Sequence, residues 1–417
     1  MSAKLPSCDE FDPNNLRVEQ ALEQISGSIQ PVTETLELPL MQAHNHVLAE
    51  DIRSPINVPP YRNSAMDGYA VRGDDLPADG ETTLELIGTA FAGNPFEQTV
   101  EAGQCVRIMT GAKLPDGADT VIMQEHVSAE DKRITITSGH QAGQNVRHAG
   151  EDIAVDDVVL HTGQRLHAAE IGLLASLGVP KVKVRRKLKV AFFSTGDELR
   201  PVGEKLEEGQ IYDSNRYTLY GMLHELDVEI IDLGVVRDEP EAVEAAFIQA
   251  ADQADAVITS GGVSVGEADY VKQTLDKLGE VSFWKIAMKP GKPLAFGRVK
   301  NAWFFGLPGN PVSVMATFYQ FVLPALHRLM NESSEPVLTL RVPCSEKLKK
   351  RPGRTDFQRG ILQRDVQGNL SVSAVGMQAS HILSGMSRAN CFIILPLESG
   401  DIEAGTLVEV QPFRGLM

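Results

Sequence analysis

Asp197-Glu198, Asp238 and Asp269 are carboxylates, Lys285, Lys289 and Lys292 are lysines, and each follows a run that reads as a β-strand. Hard oxygen ligands of this kind suit Mg²⁺, which takes one or two carboxylates and completes its shell with waters and phosphate oxygens. Lys289 and Lys292, both in MKPGKP, offer positive charge to an anion. Two glycine turns accompany them: Ser260-Gly261-Gly262, with Ser264 just beyond, and Pro308-Gly309-Asn310. Glycine lets backbone N–H groups come close to an oxyanion, and a helix N-terminus behind the turn adds partial positive charge. Together these residues fit an anionic, phosphate-bearing ligand held with a divalent cation. Each also has a plainer reading: Asp238 as a helix cap ahead of Pro240, Glu198 as a turn acid, Asp67-Gly68 as a tight turn, and the SGG turn as packing alone.

The elements that must position them alternate. From Leu188 to Met330, LKVAFFS, a helix near 214–226, VEIIDLG, a helix near 239–252, and the run Ala256-Val257-Ile258 follow one another. Beyond the SGG turn, Ala268, Val271, Leu275 and Leu278 carry a helical period, and Asn310-Pro311 opens a long helix to about 330. Alternating strand and helix predicts a parallel, doubly wound α/β sheet, in which ligands bind at the carboxyl ends of the strands. The glycine turns, acids and lysines are therefore expected on one rim.

Elsewhere the texture changes. Residues 14–54 and 150–185 read as helix plus strand and are expected to form one elongated, discontinuous domain. Residues 55–149 are rich in short strands and turns and are expected to form an inserted β-rich domain. The α/β domain is placed at 186–330, and 335–417, with LTLRVP, FQRGILQ, LSVSAV, CFIILP and LVEVQP, as a terminal all-β domain.

Composition bounds the rest. The 417 residues carry 42% hydrophobic and 23% charged side chains, ordinary for a globular protein, with no apolar run long enough to span a bilayer. A cytoplasmic, non-membrane protein is expected, since the first residues lack the apolar stretch of a secretory signal. The four cysteines are scattered without a C-x-x-C, which argues against a disulfide framework or structural zinc. A formal charge of −17 argues against nonspecific nucleic-acid binding, so an anionic substrate needs a local cationic cluster.

The segments PPYRNSAMDGYAVR, RIMTGAKLPDGADTVIMQE, RHAGEDI, FSTGDEL, SGGVSVGEADY, MKPGKPLAFG, LPGNPVS and RPGRTDFQRG occur in this order from residue 59 to 360. They resemble the molybdopterin molybdenumtransferase family, that of bacterial MoeA and the gephyrin E domain. The resemblance implies an α/β domain similar to molybdopterin adenylyltransferase, a C-terminal β-barrel, and a homodimer. Its cleft would lie between the α/β domain of one subunit and the inserted domain of the other. The reaction implied joins molybdate to adenylyl-molybdopterin with release of AMP, dependent on Mg²⁺, and the adenylyltransferase is the expected upstream partner. Carried over by position, Asp67, Thr110, Asp152, Glu198, Asp238, Lys285 and Lys289 are expected to be catalytic, and Glu198 and Asp269 to hold the metal. Ser260, Gly261, Gly262, Ser264, Lys292, Pro308, Gly309, Arg359 and Ser380 are expected to bind the substrates, Arg359 by bonding an oxyanion twice. Two rivals stand beside this: a non-catalytic scaffold of the gephyrin type, and an adenylyltransferase using the α/β domain alone.

Overall fold

A computed structural model describes residues 15–261, 270–333 and 337–413. The chain divides into two compact units, one of 1–36, 45–47 and 184–417, the other of 37–44 and 48–183.

In the first unit a six-stranded sheet contains β1 (Lys189–Thr195), β2 (Glu229–Val236), β3 (Ala256–Ser260), β4 (Gly279–Lys285), β5 (Pro293–Val299) and β6 (Ala302–Leu307) in the order β2-β1-β3-β6-β5-β4. Strands β2, β1, β3 and β6 are parallel, while β5 runs antiparallel to both β6 and β4. The parallel, doubly wound sheet expected is found in these four strands, and the edge departs from it. No helix separates β4, β5 and β6, and a two-residue turn at Lys300-Asn301, with Lys300 at φ 51°, folds β5 onto β6.

Side-chain alternation explains why these runs form strands. Val190, Phe192, Ile258 and Phe305 enter one core, and Ala191, Phe193, Val257 and Phe304 enter another. The sheet is buried on both faces, as parallel strands require. Helices α1 (Ser214–Glu225) and α4 (Pro311–Thr317) cover the first face through Leu219, Leu223, Val312 and Val314. Helices α2 (Pro240–Gln253) and α3 (Tyr270–Leu278) cover the second through Val243, Phe247, Val271 and Leu275. The long helix after Asn310 changes character along its length: a π segment at Phe318–Val322 joins α4 to α5 (Leu323–Leu329). Pro324 has no N–H for the carbonyl four residues back, which accounts for the wider turn there. An N-terminal helix, Val18–Ser28, adds Val18, Ala21 and Ile25 to the first core, where Phe321, Val322 and Leu326 also lie.

The same unit ends in a barrel of β7 (Leu340–Pro343), β8 (Thr355–Arg364), β9 (Leu370–Ala374), β10 (Cys391–Leu395) and β11 (Leu407–Pro412). Pairing runs β9-β8-β10-β11-β7, and a bridge from Cys344 to Val372 closes the ring. The short strand Met288–Lys289 pairs in parallel with β8, Lys289 opposite Asp356.

The second unit contains a six-stranded sheet with strands Thr120–Met123, Gly68–Val71, Gln104–Ile108, Glu81–Ala90, Arg133–Thr137 and Val127–Glu130 in that order. Ala70, Val106 and Val121 face one core, Tyr69, Cys105 and Ile122 another. Gly68 opens a strand here rather than completing the tight turn that Asp67-Gly68 suggested. Among the described residues no helix is long and apolar enough to cross a membrane.

Candidate functional site

The strand order changes direction at β1: the chain leaves it for β2 on one side and returns to β3 on the other. Loops after β1 and β3 therefore diverge at a switch point, which opens a crevice at their carboxyl ends. A cavity of about 1400 Å³ lies there, lined from the sheet by Thr195, Gly196, Glu198, Asp238, Gly261 and Pro308 to Asn310. Met288 to Pro293 line it as well, and the barrel contributes Lys347, Lys349, Arg354, Gln358 and Met377 to His381.

Local geometry follows from residue type. Gly261 has φ +90°, and a Cβ there would stand 2.7 Å from the Thr195 carbonyl oxygen, so only glycine lets the chain turn off β3 so tightly. Its N–H donates to the Leu307 carbonyl at 3.1 Å. Asn310 is the N-cap of α4 with Pro311 behind it, although the Asn310 side chain makes no capping bond. The cap of α2 is Glu239, not Asp238 as the sequence suggested. Asp238 instead donates its backbone N–H to Asp197 Oδ1 at 3.4 Å. Burial holds the Asp238 proton more tightly than usual, and the anions of Asp197 and Glu198 add to that.

Several expected residues gather at this cavity: Glu198, Asp238, Gly261, Lys289, Lys292, Pro308, Gly309 and Ser380. Others do not. Lys285 ends β4 outside the cavity lining. Ser260 is 2% exposed and its hydroxyl shares a hydrogen bond with Ser194 at 3.0 Å, joining β3 to β1 rather than facing a ligand. Arg359 is 1% exposed and absent from the lining; its Nη1 and Nη2 donate to the carbonyls of Ala379 and Met377 at 3.1 and 2.5 Å. Two of its five N–H groups are thus engaged by the barrel's own loop, and Nε has no hydrogen-bond partner. Gly262, Ser264 and Asp269 lie outside the described residues.

Asp67, Thr110 and Asp152 belong to the second unit. Asp67 Oδ1 accepts from both the backbone N–H and the hydroxyl of Thr110 at 2.7 Å. These two bonds, with Arg107 nearby, hold the Asp67 carboxyl below its ordinary range. Asp152 is exposed, and its N–H donates to the Val58 carbonyl at 3.0 Å.

Sequence reasoning missed Asp356 and Lys350. Asp356 is 4% exposed; burial pushes its carboxyl up against the pull of Lys289, Lys350 and Arg354. Lys350 is 5% exposed and donates to the carbonyls of Arg351, Leu397 and Ser399. Burial lowers its amine. A buried acid opposite Lys289 thus underlies the cationic wall of the cavity. In the sequence Asp356 stands one residue ahead of the strand-like run FQRGILQ, and nothing there marked it.

Among the described residues no group of three or more His, Cys, Asp or Glu side chains is gathered closely enough to hold a metal alone. Glu198 and Asp238, both on the cavity wall, are hard oxygen ligands of the type a Mg²⁺ ion takes alongside water and phosphate, and a cation there would offset the anionic repulsion that adds to burial in raising Asp238.

Family models match three stretches: "MoeA N-terminal region (domain I and II)" over 16–178, "Probable molybdopterin binding domain" over 191–328, and "MoeA C-terminal region (domain IV)" over 341–413. The molybdopterin molybdenumtransferase of Haemophilus influenzae is 49% identical over 404 residues, 96% of this chain and 100% of that protein. Gephyrin of Dictyostelium discoideum is 33% identical over 95% of this chain and 62% of its own length. The crystal structure of the molybdopterin biosynthesis MoeA protein from Pyrococcus horikoshii superposes with a TM-score of 0.79 at 33% identity, covering 96% of this chain and 100% of that one.

Proposed function

The chain belongs to the molybdopterin molybdenumtransferase family, and from that premise we propose that it inserts molybdate into adenylyl-molybdopterin and releases AMP. It is a transferase of molybdenum cofactor biosynthesis. The observation that carries the finer reading is the composition of one cavity wall: acids Glu198 and Asp238 come from the sheet rim, while Lys289 and Lys292 come from the segment that meets the barrel. An adenylylated phosphate and an oxyanion need both kinds of partner.

Lys289 and Lys292 would hold molybdate and the pterin phosphate by charge-assisted hydrogen bonds. Glu198, with Asp238 and with Asp269 from outside the described residues, would hold Mg²⁺. When bound, that ion would polarise the phosphoanhydride as a Lewis acid. Asp67, Thr110 and Asp152 would act across a homodimer, each set serving the cavity of the partner subunit. The protein would work in the cytoplasm, taking its substrate from a molybdopterin adenylyltransferase.

The test incubates the protein with adenylyl-molybdopterin, Mg²⁺ and molybdate, follows AMP, and reconstitutes a molybdoenzyme with the product. AMP release that ignores molybdate, or a product that activates no molybdoenzyme, sinks the reading. Replacing Lys289 by alanine is expected to raise the molybdate concentration for half-maximal rate by about tenfold, since a charged hydrogen bond is worth about 1.5–3 kcal/mol. An unchanged molybdate titration would remove Lys289 from the oxyanion site.

The pH dependence has a defined sign. In the metal-free enzyme Asp238 keeps its proton to a higher pH than an ordinary aspartate, so as pH falls through that raised midpoint the ionised Asp238 that would take Mg²⁺ is lost, and kcat/KM falls with it. Replacing Asp197 by asparagine removes one of the anions responsible. The acid limb of the rate profile should then move to lower pH; a limb that stays in place means Asp238 does not control it.

A further inference from the structure

Arg359 is a buried cation held by backbone carbonyls, and the residue beside those carbonyls makes that possible. Gln378 Oε1 accepts the Arg359 N–H at 2.8 Å, and Gln378 Nε2 donates to the carbonyls of Arg359 and Val375 at 3.1 and 3.2 Å. One amide thus ties β8 to the start of the loop that the Arg359 guanidinium grips at Met377 and Ala379. Burial already disfavours the Arg359 charge, and its Nε has no hydrogen-bond partner, so the two carbonyls are what keeps the guanidinium in place. The space is shaped to match: a Cβ on Gly385 would stand 2.8 Å from Arg359 Nε. At its far end the loop reaches the start of α4, where the Ser380 carbonyl accepts the Val312 N–H at 3.1 Å. That N–H is one of the first-turn donors of α4 that no helix carbonyl can satisfy.

We infer that Gln378 is a positioning residue, which together with the buried Arg359 fork fixes the loop 376–381 and so sets where Ser380 stands in the cavity wall. The consequence for molybdate rests on the functional reading above. Through Nη1 and Nη2 Arg359 grips the loop, whatever its remaining N–H groups do. A lysine at 359 keeps the charge and loses the fork, so it should behave like a loss of the residue.

The test uses the full-length protein carrying Gln378→Met, which removes all three bonds, or Gln378→Glu, which keeps the acceptor and loses the donor. Should the first fail to fold, the second still decides. Hydrogen exchange in peptides covering 355–362 and 374–384 is expected to quicken in both, with peptides of the α/β-domain strands β1, β3 and β6 unchanged. Half-saturating molybdate should rise about fivefold, the scale of one neutral hydrogen bond losing its geometry, with the effect in half-saturation rather than kcat. Arg359→Lys should reproduce both changes. Wild-type exchange in both Gln378 variants overturns the inference, as does a lowered Tm with wild-type exchange and molybdate titration in the folded fraction. Ser380→Ala separates the premises: if it titrates like wild type, Ser380 does not hold the oxyanion, and the exchange result alone decides the clamp.

Discussion

Replacing Glu198 by alanine is expected to lower turnover by at least about a hundredfold while Tm moves by no more than about 2 °C. Glu198 is exposed on the rim after β1 and lines the cavity, so its removal leaves no buried void and no buried group unpaired. Surface changes of that kind usually shift stability by about 0.5 kcal/mol or less. The chemistry is different: removing a group that stabilises charge in the transition state costs about 10²–10³ in kcat. Single-turnover AMP release, read beside a thermal scan, makes the comparison. Wild-type turnover would take Glu198 out of the metal end, and a fall in Tm in step with activity would make it structural.

Mixing two inactive variants should restore activity. Asp67 stands in one compact unit and Glu198 in the other, and the proposed homodimer pairs the Asp67 of one subunit with the Glu198 of its partner. In a heterodimer of Asp67→Ala and Glu198→Ala, one cleft then carries both lesions and the other neither. Random exchange places about half the dimers in that class, so activity should return to about a quarter of wild type if clefts act independently. Gel filtration with a labelled subunit verifies exchange. If subunits exchange and no activity returns, Asp67 serves its own chain's cavity.

The α/β core was legible because its strands are short apolar runs and its helices carry a clean 3.6 period. Val243, Phe247 and Ala250 are buried on one helix face as their spacing required. The antiparallel edge was not legible, because Lys300-Asn301 lacks the Asn-Gly or Gly-first pattern that marks a two-residue hairpin. The rim residues Glu198, Gly261, Lys289 and Pro308 could be read from the rule that ligands gather at strand ends. What sequence cannot reveal is where donors are spent. Arg359 and Ser260 have the right chemistry for a ligand, yet Arg359 puts two of its N–H groups on Met377 and Ala379, and the Ser260 hydroxyl pairs with Ser194. Asp356 shows the reverse, a strand residue whose importance depends on Lys289 lying opposite it in register.

The helix Val18–Ser28 carries a consequence for biosynthesis. Its core partners include Phe321, Val322 and Leu326, and the Val32 N–H just after it donates to the Leu329 carbonyl at 2.8 Å. The ribosome makes this helix nearly three hundred residues ahead of these partners. At about 5–20 residues per second that separation lasts on the order of 15–60 s. Throughout it the apolar stripe of Val18, Ala21 and Ile25 lacks these partners, while the second unit, complete by Lys183, is free to fold. The second unit can therefore be complete before the helix Val18–Ser28 finds its place in the first core, with chaperone demand concentrated on that helix.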